Sequence, residues 1–87
     1  MRRRVIVHGH VQGVFFRDTA RRLAVGRGVA GSIANRPDGT VEAVFEGPAQ
    51  AVRALVDFCR RGPEGAVVAR VEVSEEEIRD VEGFRIL

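Results

Sequence analysis

Over residues 4 to 11 apolar and polar positions alternate, with Val5, Val7, Gly9 and Val11 on one side and Arg4, Ile6, His8 and His10 on the other. A period of two predicts a strand with one buried face. The period then lengthens. Phe16, Ala20, Leu23 and Ala24 stand at i, i+4, i+7 and i+8, which predicts a helix from about 16 to 26, closed by Gly26-Arg27-Gly28. Alternation returns over 29 to 36, where Val29, Gly31, Ile33 and Asn35 share one side. Pro37-Asp38-Gly39 follows, in which Pro presets φ, Asp bonds its own backbone and Gly supplies a left-handed residue. A hairpin into a third strand over 40 to 46 is expected, with Val41, Ala43 and Phe45 inward. Gly47-Pro48 opens a second helix running to about Arg61, with Pro48 at its first position and Val52, Leu55, Val56 and Cys59 as its apolar stripe. A fourth strand is expected over 66 to 73, and Gly83 to Leu87 is available for a short fifth.

The order β-α-β-β-α-β is the ferredoxin-like split arrangement. With right-handed crossovers it predicts an α+β sandwich: a four-stranded antiparallel sheet of order 4-1-3-2, two helices on one face, and a short fifth strand as an edge addition. Eighty-seven residues suffice for one domain, 1 to 87, and one core. Strands one and two run parallel with strand three between them. The loop after strand one and Asn35 at the end of strand two therefore face one opening, roughly 10 Å apart.

That loop, Gly9-His10-Val11-Gln12-Gly13-Val14-Phe15-Phe16-Arg17, feeds a helix N-terminus. Such a terminus presents backbone N–H groups without intrahelical partners and the positive end of the helix dipole, so it suits an anion. Gly9 and Gly13 relax the backbone so that N–H groups converge. Arg17 opposes the dipole unless an anion is bound, and its fork of donors suits one. No Lys-Ser or Lys-Thr follows and no third glycine completes a dinucleotide fingerprint, so two familiar phosphate loops are excluded. The competing reading is a two-glycine turn with Arg17 on the surface and Asn35 capping the hairpin turn. Convergence on one opening favours an anion site.

Composition adds less. The 14 basic residues, all Arg, exceed 12 acids by two, and the pI is about 9.9. Arg2, Arg3 and Arg4 are expected as a frayed, solvated terminus and Glu75-Glu76-Glu77 as a solvated segment. Cys59 lies on an apolar stripe, so it is expected in the core, and a lone cysteine carries no disulfide signature; the cytoplasm is the default. No apolar run has the length of a membrane span or signal core. His8 and His10 share a strand face, but no Cys or third His stands within residues 7 to 17 or 31 to 41 to complete a site, so a metal site is not expected.

Two segments carry a resemblance. Val7 to Arg17 and Gly31 to Val41, closed by Gly47, closely resemble the two signature segments of acylphosphatases, and the length and the Gly-Pro positions around the second helix are similar. The resemblance implies a small metal-free hydrolase, without cofactor, that converts acyl phosphates to a carboxylate and inorganic phosphate, with phosphate as product and inhibitor. By position it implies Arg17 as the phosphate-binding arginine, Asn35 as the water-orienting asparagine, and Gln12, Gly13, Val14, Phe15 and Phe16 with Arg17 as the phosphate cradle. A monomer with no membrane partner is expected. Ser32 and Ala34 depart from the family pattern, on the strand face opposite Asn35. Two alternatives are a non-catalytic ferredoxin-like module binding RNA or another anion, and an acylphosphatase-like unit acting on carbamoyl phosphate within a larger maturation system. The first needs exposed aromatics on the central strands, where His8, Glu42 and Val44 stand instead.

Overall fold

The computed structural model describes residues 1–87. Its elements are β1 (Arg2–His10), α1 (Phe16–Gly26), β2 (Ala30–Asn35), β3 (Val41–Glu46), α2 (Ala49–Arg61), β4 (Val67–Glu75) and β5 (Phe84–Ile86). The sheet order is β4-β1-β3-β2-β5, so the expected 4-1-3-2 arrangement stands with a fifth strand beside β2. The first four strands are antiparallel to their neighbours, whereas β5 is parallel to β2, with Gly31 opposite Phe84 and Ile33 opposite Ile86. Connectivity explains the direction. β4 ends with Glu75 beside Arg3, at the end of the sheet where β1 and β2 begin. The chain then crosses that end and enters β5 next to Gly31, so the strand can only run as β2 runs.

Both helices cover one face. The side chains that alternate inward, among them Val5, Val7, Ile33, Val41, Ala43 and Phe45, meet Phe16, Ala20 and Ala24 of α1 and Val52, Leu55, Phe58 and Cys59 of α2 in one core. Phe16 packs tilted against Phe58 with ring centroids 5.3 Å apart, and truncation of a phenylalanine so placed costs about 3–5 kcal/mol. Pro48 caps α2 from one position outside it, its carbonyl accepting from the Val52 N–H at 3.0 Å. Cys59 is fully buried as expected, and desolvation pushes its thiol up to about 12.

The N-terminus differs from expectation. Arg2 is only 7% exposed, and its guanidinium donates to Glu46 at 3.1 Å and to Glu76 at 3.0 Å. Arg4 donates to Glu76 at 2.8 Å and also pairs with Glu42. The Met1 ammonium donates to the Gly47 carbonyl at 3.0 Å. Residues 2 to 4 are thus a paired part of β1, and Glu76 is their partner instead of a solvated acid. Buried or half-buried cations need such partners, because each one desolvated without a counter-charge is costly.

Glu46 also holds the segment that crosses the sheet. Its carboxylate accepts from the N–H groups of Arg79 at 2.9 Å and Val81 at 3.2 Å. The Arg79 N–H first, then the Arg2 guanidinium, hold its carboxyl below the usual range. A charged Glu46 thereby fixes the path that leads to β5.

Candidate active site

β1 delivers the loop through a bulge. Its register against β4 shifts between His8 and Gly9, and Gly9 has φ +130°. A Cβ there would lie 2.1 Å from the Val67 carbonyl oxygen. Gly9 is therefore required by the close approach of β4, not by the loop conformation to which the sequence reading assigned it.

Beyond Val11 the chain turns sharply. Gly13 (φ +75°) and Phe15 (φ +61°, ψ 26°) are both left-handed, and Phe15 is the residue from which α1 starts. A non-glycine residue held there costs on the order of 1–3 kcal/mol. None of the backbone N–H groups from Gln12 to Asp18 donates within the chain; the first donor of α1 is Thr19, bonded to the Phe15 carbonyl at 3.0 Å. No side chain caps the helix. The orphan donors of the helix start and of the preceding turn are therefore both free, next to the positive end of the dipole.

Arg17 stands in the first turn, half-buried and without a carboxylate partner. The adjacent Asp18 is directed to Arg22 at 3.6 Å. Arg17, Asn35, Gly13, Phe15 and Phe16 line one cleft of about 380 Å³, completed by Val11, Asp18 and Ile86. The two elements that the topology was expected to bring together do converge.

Asn35 is exposed at the end of β2. It does not close the hairpin turn: Asp38 does, its Oδ1 accepting from the Thr40 N–H at 3.0 Å and hydroxyl at 2.6 Å. These two bonds hold the Asp38 carboxyl below its usual range. The Asn35 amide is left to face the cleft. Gln12 keeps its backbone N–H uncommitted, while its side chain is engaged elsewhere. Its side-chain amide donates to the carbonyls of Arg36 at 2.8 Å and Thr40 at 2.9 Å, leaving only its backbone for an anion. Val14 is half-buried against the core and Phe16 is buried within it, so they too offer backbone alone.

Ile86 and Asp18 were not singled out from sequence. Ile86 reaches the cleft only because β5 joins β2 in parallel, which no local pattern encodes. Of the two histidines, His8 bonds Glu72 at 2.5 Å and His10 is exposed. No group of three or more His, Cys, Asp or Glu side chains gathers anywhere in the chain, and no helix is long and apolar enough to cross a membrane.

Fold and cleft together define a ferredoxin-like α+β protein with a loop of uncommitted backbone N–H groups between its first strand and first helix. Residues 3–86 match the acylphosphatase family model. An acylphosphatase of Gloeobacter violaceus is 49% identical over 87 residues, covering 100% of this chain and 94% of that protein. The crystal structure of acylphosphatase from Bacillus subtilis superposes with a TM-score of 0.93 at 34% identity, over 99% of this chain and 97% of that one. A full-length HypF structure in a phosphate- and nucleotide-bound form superposes with a TM-score of 0.90 at 25% identity, but over only 11% of its own length. The chain belongs to the acylphosphatase family.

Proposed function

We propose that the chain hydrolyses the carboxyl–phosphate bond of acyl phosphates, with Arg17 and the N–H groups from Gln12 to Arg17 holding the phosphoryl group and Asn35 orienting the attacking water. The carrying observation is that a row of uncommitted N–H groups and an unpaired guanidinium open with the Asn35 amide onto one cleft. Family membership supports the reaction.

A carboxylate is already a good leaving group. Phosphoryl transfer through a loose transition state then asks mainly for alignment and for stabilisation of charge on the equatorial oxygens. Water attacks phosphorus, the bond from phosphorus to the carboxylate oxygen breaks, and the electron pair leaves with the carboxylate. The water proton passes to a phosphate oxygen, so R–CO–O–PO₃²⁻ and water give R–COO⁻ and H₂PO₄⁻. The enzyme acts as a monomer, with inorganic phosphate as product and competitive inhibitor, and its single buried thiol suits a reducing cytoplasm.

A nucleic-acid module is less well supported. Four of the five phenylalanines are buried, the fifth lies in the anion loop, and the crossing segment occupies part of the open sheet face through Glu46. The test is release of benzoate from benzoyl phosphate with EDTA present. Turnover is expected; its absence, together with a shift of RNA mobility at physiological salt, would favour the binding module.

A further inference from the structure

The cleft contains more than an anion needs. At about 380 Å³ it falls within the range of sites that take small organic molecules, whereas the uncommitted N–H groups and Arg17 all belong to the loop and the first turn of α1. Two of its walls are exposed apolar side chains. Phe15 is 77% exposed and Ile86 is 40% exposed. Phe15 is also the residue held at φ +61°, a conformation that glycine or asparagine would adopt more readily. Neither core packing nor backbone geometry accounts for a phenylalanine there. Ile86 is delivered to the cleft by β5, which pairs in parallel with β2 after a crossing segment that Glu46 holds. The apolar pair flanks the same opening as Arg17 and Asn35.

We propose that Phe15 and Ile86 form the acyl subsite, selecting acyl phosphates whose carboxylic portion is a bulky apolar or aromatic group over those of short acids. The inference rests on the hydrolytic reading above. A phosphoryl group held on the N–H row leaves the rest of the cleft, with Phe15 and Ile86, for the acyl portion, and removal of the two side chains from water against an aryl group gives the selectivity.

The test is the ratio of kcat/KM for benzoyl phosphate to that for acetyl phosphate, in the wild type and in Ile86→Ser and Phe15→Asn. Asparagine tolerates the left-handed backbone, so Phe15→Asn removes the ring and keeps the turn; it carries the test if Ile86→Ser does not fold. A fall in the ratio of about tenfold in either folded variant is expected, the size of a lost apolar contact. An unchanged ratio, with both substrates slowed together, would assign the side chains to loop architecture and overturn the inference. A wild type that hydrolyses neither substrate would overturn the hydrolytic reading and the subsite with it.

Discussion

The side-chain amide of Gln12 donates to the carbonyl of Thr40 at 2.9 Å, tying the loop between β1 and α1 to the hairpin that carries Asn35. The same amide nitrogen lies 2.8 Å from the Arg36 carbonyl, immediately after Asn35. Gln12 thus sets the spacing between the two halves of the site. Gln12→Ala should lower kcat/KM for benzoyl phosphate about tenfold at a cost of about 1 kcal/mol in stability, because misplacement of aligned groups is amplified in rate. Paired kinetics and thermal melts check this. Full activity in Gln12→Ala would show that the hairpin holds its position unaided.

Arg17→Lys keeps the charge and loses the planar pair of donors, so it should be nearly as damaging as Arg17→Ala. A loss of about 100-fold or more in kcat/KM is expected for both. Near wild-type rates in the lysine variant would mean that a point charge is enough.

Inorganic phosphate should bind the loop and stabilise the fold. At ten times Kd a ligand selective for the native state contributes about 1.4 kcal/mol. The Tm of the wild type should rise with phosphate while that of Arg17→Ala stays level, both at constant ionic strength. Equal shifts would indicate a general salt effect.

Acid should weaken the sheet end where Arg2, Arg4, Glu46 and Glu76 meet. Hydrogen bonds from Arg4 and then Arg2 hold the Glu76 carboxyl below its ordinary value of 4.5, and Glu46 is held low as well. A carboxyl whose folded value is depressed contributes stability above its unfolded value and loses it as pH falls through the folded one. The Tm difference between wild type and Glu76→Gln should therefore be full near neutrality and close progressively below about pH 4.5. A difference constant from pH 7 to pH 3 would show that the Glu76 charge does not contribute.

The sequence carries much of this site because its key spacings are local. A period of two places Asn35 at the end of β2, a period of 3.6 places Arg17 in the first turn of α1, and strand order brings them to one edge. What escaped local reading depends on partners far along the chain. Arg2 looks like a solvated terminal charge until Glu46 and Glu76, 44 and 74 residues away, enclose it. The side-chain role of Gln12 emerges only when the hairpin supplies two carbonyls for its amide, and Gly9 looks like a loop hinge until Val67 comes against it. Ile86 reaches the cleft only through the crossing segment. A pairing register, unlike a periodicity, is not written in either strand alone.

The most direct test of the account is to measure kcat for benzoyl phosphate and the inhibition constant for phosphate on Asn35→Ala, alongside its Tm. Asp38, not Asn35, closes the hairpin turn, so the amide is free for a role in the transition state. The variant should keep its Tm and bind phosphate nearly as the wild type does, while kcat falls by about 100-fold or more. A folded Asn35→Ala that turns over at the wild-type rate would contradict the water-orienting role and the mechanism built on it.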